Sequence, residues 1–253
     1  MSNARVTPIE QTLKEDMSNL IEEGLFEDFC YYVSTHRQVI TQLAQCDEAF
    51  ANFIVKGYET GVLHEDGTCA NDLGALYYMG DIMPQDYEKA AKLYEQAIGW
   101  GCFQSIINMG YIYEYGRIGD PDYRKAYEYY ALACALAPQF EALYKMGDMY
   151  SRGKAVPRNL SVALTLWERS LEEAKGVVEA AQPAIRIAPL LLDPKDSGAQ
   201  VDIMRALSLF QTAEVGLRID IEAGQYYYKK RLQQAIDGQE QARRLLDEAC
   251  LSI

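Results

Sequence analysis

Two glycines recur along this chain at one fixed spacing, and that recurrence restricts it to a stack of repeated units. Gly74, Gly110 and Gly147 stand 36 or 37 residues apart, each followed six residues later by Gly80, Gly116 or Gly153. Sixteen residues after the first glycine come Ala90, Ala126 and Ala163, then a large ring at Tyr94, Tyr130 and Trp167. A period of this length marks a repeat protein, in which each unit buries its apolar face only against its neighbours.

Within each unit the apolar positions fall into two helical stripes. Ala70-Leu73-Gly74-Tyr77, Ile106-Met109-Gly110-Tyr113 and Leu143-Met146-Gly147-Tyr150 run at i, i+3, i+4, i+7, one face of a helix. Ala90-Leu93-Tyr94-Ala97, Ala126-Tyr129-Tyr130-Ala133 and Ala163-Leu166-Trp167-Ser170 do the same. The spacing therefore predicts helix pairs over 69–79 with 87–99, 103–115 with 123–136, and 140–152 with 160–174. Gly80, Gly116 and Gly153 sit where a left-handed residue would close the first helix. Asp86, Asp122 and Asn159 sit where a side chain would cap the second. A glycine inside a helix costs about 1 kcal/mol relative to alanine, so Gly74, Gly110 and Gly147 are expected at close helix–helix approaches.

The pattern drifts beyond the third unit. Asp202-Ile203-Met204-Arg205-Ala206 and Ala206-Leu209-Phe210-Ala213 repeat the second-helix start and stripe, and Ala242-Leu245-Leu246-Ala249 is a fifth copy. Pro183 and Pro189 are expected to interrupt the fourth first helix, and residues 192–200 read as a longer loop. A final first-type helix over Ile219–Ile236 lacks the glycine and carries Tyr226-Tyr227-Tyr228 before Lys229-Lys230-Arg231. Upstream, helices are expected over Ile9–Glu23, Leu25–Ala44 and Glu48–Val62. The resulting organisation is an N-terminal helical cap over residues 1–67 and a repeat array over 68–253. Its units fall near 68–101, 102–137 and 138–176, followed by a degenerate unit at 177–216 and a capping unit at 217–253.

Leu73-Gly74-Ala75-Leu76-Tyr77-Tyr78-Met79-Gly80 with Asp86-Tyr87-Glu88-Lys89-Ala90 resembles the Sel-one-like repeats of the tetratricopeptide-like superfamily. Met109-Gly110 through Gly116 with Asp122-Tyr123-Arg124-Lys125-Ala126 resembles them equally, whereas the third copy has Asn159 for the aspartate and Val162 for the lysine. The resemblance is specific over 70–171, fair over 202–216 and 242–250, and absent over 1–67. It implies an all-α, right-handed α-solenoid of helix-turn-helix repeats that serves as a non-catalytic adaptor. In such arrays the first helix of each pair lines a concave groove. The positions three before and one, four and five after the inter-helix glycine then face a ligand. They are Asn71, Ala75, Tyr78 and Met79, then Ile107, Tyr111, Glu114 and Tyr115, then Tyr144, Asp148, Ser151 and Arg152. Rings with polar tips and mixed charge suit recognition of a peptide or protein segment. Tyr77, Tyr113 and Tyr150 belong by register to the core.

Composition narrows the function further. The chain of 253 residues carries a net charge of −13, of which residues 1–67 supply −8 through twelve acidic and four basic side chains. Such an excess would repel nucleic-acid phosphates, and a solvated helix face accounts for the basic run at Lys229–Arg231. There is no apolar run near membrane-spanning length and no leader, so neither a membrane segment nor export is expected and the expected location is the cytoplasm. The six cysteines show no CxxC spacing and read as free thiols in a reducing compartment. With only His36 and His64, neither carrying a second ligand at helical spacing, no metal site and no cofactor are expected. No Ser-His or Cys-His pair can be assembled, and His64-Glu65-Asp66 reads as a surface turn. The expectation is a protein-binding module, monomeric or weakly self-associating. An enzyme using groove carboxylates and a self-associating structural module are the alternatives.

Overall fold

A computed structural model of the chain describes residues 8–137 and 139–251. Those residues form thirteen α-helices, one short 3₁₀ turn and no strand. They run α1 (Pro8–Glu22), α2 (Phe26–Thr35), α3 (Arg37–Cys46), α4 (Glu48–Leu63), α5 (Gly67–Met79), α6 (Tyr87–Gly99) and α7 (Phe103–Glu114). After these come α8 (Tyr123–Leu136), α9 (Phe140–Arg152), α10 (Leu160–Glu173), α11 (Val177–Leu192), α12 (Ile203–Glu222) and α13 (Lys229–Leu251). The chain divides into two compact units, one ending at Asp122 and the other beginning at Tyr123. The six helices expected from the three clear repeats are α5 to α10, with boundaries within two residues of the sequence reading.

The local signals act as their chemistry requires. Gly80 (φ 71°) and Gly153 (φ 65°) close α5 and α9 in the left-handed conformation that a side chain would strain, and Gly116 adopts φ 60°. The side chains of Asp86, Asn159 and Asp202 accept from the amides of Lys89 (2.9 Å), Val162 (3.1 Å) and Arg205 (2.9 Å), capping α6, α10 and α12. Each such cap contributes about 1 kcal/mol. The amide of the cap residue also bonds back across the turn. Asp86 donates to the Tyr77 carbonyl, Asp122 to Tyr113 and Asn159 to Tyr150, all at 2.9 Å, and Asp202 to Leu191 at 3.0 Å.

The helix pairs close where the inter-helix glycines lie. A Cβ at Gly74 would come 2.7 Å from the Tyr94 ring, and one at Gly147 would come 2.5 Å from the Trp167 indole nitrogen. That nitrogen donates instead to the Tyr144 carbonyl at 3.2 Å, and the Ser170 hydroxyl donates to the Phe140 carbonyl at 2.6 Å. The α9–α10 pair is thus locked by two side-chain-to-backbone bonds on top of apolar burial. Tyr77 and Tyr150 are half-buried against the two cores rather than fully inside them, and Tyr113 is likewise half-buried.

In the first unit, Leu13, Met17, Phe29, Phe50, Ile54 and Tyr58 from α1, α2 and α4 share one buried core with Cys69 and Leu73 of α5. The helix expected over Leu25–Ala44 is instead two, α2 and α3, because the backbone turns at His36 (φ −105°, ψ 14°).

In the second unit two sequence expectations are corrected. Pro183 and Pro189 do not interrupt α11, which runs through both. Two amide donors are lost, but nine of its side chains are buried, and that burial outweighs the loss. The helix expected over Ile219–Ile236 does not form. α12 continues to Glu222, Gly224 (φ 96°) ends it, and Tyr226–Tyr228 make the 3₁₀ turn into α13. The inter-helix glycine thought missing from this end is Gly238 of α13, where a Cβ would collide with the Phe210 ring of α12. Residues 193–202 form the longer loop that was expected.

Candidate protein-binding faces

In the first unit the face of α5 and α7 is built around one buried amide. The Asn71 oxygen accepts from Ser105 Oγ (2.8 Å) and Asn108 Nδ2 (2.9 Å), and its nitrogen donates to Asp72 (3.0 Å). Asn71 is therefore a strut between neighbouring first helices. Ile107 and Glu114 are buried as well. Solvent reaches Met79 and Tyr115, which are 43 % and 48 % exposed. Tyr111 lies flat against Tyr115, with ring centroids 5.9 Å apart and planes 7° from parallel.

Arg117, in the turn after α7, folds back over these rings. Its guanidinium lies 5.4 Å from the Tyr78 ring, 4.9 Å from Tyr87 and 5.6 Å from Tyr115, and its Nε donates to the Tyr78 hydroxyl at 3.1 Å. Tyr78 and Tyr87 meet edge to face at 5.2 Å. Burial holds the Tyr78 phenol above its ordinary pKa, with Arg117 pulling the other way. The result is a preorganised aromatic–cation surface, each contact worth roughly 0.5–1 kcal/mol where exposed.

In the second unit the face of α9 and α11 is polar at its centre. Asp148 is buried and receives both arms of Arg186, at 2.5 Å and 2.7 Å. The same guanidinium lies 4.7 Å above the Tyr144 ring and donates to the Gln182 carbonyl at 2.6 Å. Arg152 approaches Asp148 to 3.6 Å, and Ser151 donates to the Asp148 carbonyl at 3.0 Å. The Gln182 side-chain oxygen accepts from Arg186 and from Arg231 of α13, whose guanidinium lies 5.4 Å from the Tyr228 ring. Burial pushes the Asp148 carboxyl upward, but Arg186 overrides it, with Lys145 and Arg152 assisting, and the pKa ends below the ordinary value. A carboxylate held ionised in this way anchors an ion pair and is unsuited to donating a proton near neutrality.

A known family shares this period. A Sel1 repeat model matches residues 58–98, 104–138 and 140–174. That stretch is built of Sel1-like repeats. A Sel1 repeat protein from Oxalobacter formigenes has a similar structure, with 15 % identity over 80 % of this chain and 85 % of that one and a TM-score of 0.55. That likeness establishes the α-solenoid fold class. A protective antigen of uropathogenic Escherichia coli strains with the same repeat fold aligns at 16 % identity over 90 % of this chain and 68 % of that one, with a TM-score of 0.48. No curated protein matches the sequence. Sel1-like repeats are in general protein–protein interaction modules and typically not catalytic. No helix among the described residues is long and apolar enough to cross a membrane.

Within these Sel1-like repeats, the position three before Gly74 and the one three before Gly147 are seams between neighbouring first helices. Asn71 is covered by α7 in this way and Tyr144 by Arg186 of α11. The position five after the glycine, Met79, Tyr115 or Arg152, is exposed in all three. Sequence reasoning missed Arg117, Gln182, Arg186 and Arg231. For the middle two a signal existed: Gln182 and Arg186 follow Tyr144 and Asp148 by 38 residues, one repeat on, in a segment past the last matched repeat.

Proposed function

We propose that this chain is a non-catalytic adaptor that holds a segment of another protein against the first-helix faces of its repeats. The observation that carries the reading is the cluster of Tyr78, Tyr111, Tyr115 and Arg117. Rings with few rotors and a cation are fixed on one partly exposed surface before any ligand arrives. Surfaces rich in tyrosine and arginine supply most of the energy in protein interfaces, and preorganisation lowers the entropy lost on binding. On the α9–α11 face, Ser151 and Arg152 offer polar groups for the backbone of an extended segment.

The test is affinity capture from the native cell with mass spectrometry, followed by titration of a captured partner. Tyr144 is buried, so its replacement would probe folding rather than binding, and Tyr111→Ala with Tyr115→Ala is the informative pair. Loss of a central anchor costs about 2 kcal/mol or more, so binding should weaken by roughly thirtyfold with helicity unchanged. A partner that binds the double variant as tightly as wild type excludes this face.

A further inference from the structure

The core of the first unit brings together chemistry that lies far apart in the sequence. Cys30 of α2 and Cys69 of α5 face each other with sulfurs 3.4 Å apart, both buried. With a carboxylate oxygen of Asp66, the two sulfurs form a set whose members all lie within 4.8 Å of one another. Space for the Cys69 sulfur exists because residue 61 is glycine; a Cβ there would strike it.

We propose that Cys30, Cys69 and Asp66 bind a zinc-type divalent ion, with water completing a tetrahedral shell. Soft thiolates with a carboxylate suit such an ion. Two sulfurs about 2.3 Å from one tetrahedral centre sit roughly 3.8 Å apart, so the pair must open by only a few tenths of an ångström. A disulfide, at about 2.05 Å, would require them to close by more than an ångström. Binding releases two thiol protons to the buffer and forms two metal–sulfur bonds, with no change of oxidation state. Asp66 Oδ1 accepts from the Cys69 amide at 2.7 Å, which leaves Oδ2 for the ion. The ion would staple α2 to the start of α5, coupling metal binding to the stability of this unit.

The full chain, purified under reducing conditions and freed of metal by chelation, is titrated with cobalt(II) and desalted. One retained cobalt per chain, with a sulfur-to-cobalt charge-transfer band that zinc abolishes, is expected. Cys30→Ser and Cys69→Ser should each lose the band, while Cys46→Ser/Cys250→Ser should keep it. Asp66→Asn preserves an Asx cap and removes a ligand charge. It should lower cobalt affinity by more than about tenfold with the circular dichroism unchanged. Absence of the band in wild type overturns the proposal, as does its persistence in both single-serine variants. So does an intact mass lighter by two hydrogens from a Cys30–Cys69 disulfide in chain isolated without reductant.

Discussion

Arg186 grips Asp148 with both arms of its guanidinium, at 2.5 Å and 2.7 Å, across 38 residues of sequence. The two residues hold the same position on consecutive first helices, so the repeat itself places a cation opposite an anion. Asp148 is 4 % exposed, which keeps the pair out of reach of most solvent screening.

Asp148→Ala should therefore destabilise the second unit by about 3–5 kcal/mol, because it strands a buried guanidinium. Arg186→Met should cost a similar amount. Replacing both by apolar residues should cost much less than the sum. Urea unfolding of the four proteins measures this, and additive losses would show that the pair is not coupled.

The pair also fixes a pH dependence. The folded pKa of Asp148 lies below its ordinary value, so its contribution is present above the unfolded pKa, near 3.9. That contribution is lost as pH falls through the depressed folded value. The stability gap between wild type and Asp148→Asn should be constant from pH about 7 to about 5 and should narrow below about 4. A gap that widens in acid would reverse the assignment.

Gly147→Ala should destabilise by roughly 1–3 kcal/mol through overpacking, because the new methyl meets the Trp167 indole. On intrinsic helix propensity alone the same change would stabilise by up to about 1 kcal/mol, so the sign of the result decides between packing and propensity. Ser151→Ala, one turn along α9, should stay within about 0.5 kcal/mol.

Thiol reactivity should follow burial. Cys46 and Cys250 are exposed and should react at once with a thiol reagent, and Cys102 and Cys134 should react more slowly. Burial pushes the Cys134 thiol up to about 11, which starves it of thiolate. Cys30 and Cys69 should react only on unfolding. Immediate labelling of all six free cysteines would contradict the packing described for the first unit.

The fold of residues 67–173 was legible because each residue type had a local physical job: glycine for approach or a left-handed turn, Asx for a cap, a ring for the seam. Legibility failed where tertiary packing overrode local propensity. Pro183 and Pro189 looked like breaks, yet the burial of α11 carries the helix through them. The turn at His36 and the stop at Gly224 came without a periodic signal around them. On the candidate faces, the register could not say which positions are covered. Ile107 and Tyr144 are both buried, Tyr144 under Arg186 of α11. Arg117 reaches its rings from a turn, and Cys30 meets Cys69 across 39 residues, a juxtaposition no spacing rule reports.

The bond from each cap residue back to the preceding helix spans nine positions in the first three pairs, Tyr77 to Asp86, Tyr113 to Asp122 and Tyr150 to Asn159, and eleven from Leu191 to Asp202. The geometry at the base of the turn is the same although the chain above it differs in length. That makes each turn a module with a fixed socket. Segments of other lengths could be inserted between the two anchoring residues without altering how the helices meet. Apart from the left-handed glycines and the Tyr78 and Arg117 side chains, the residues between those anchors are natural places to graft new sequence onto this scaffold.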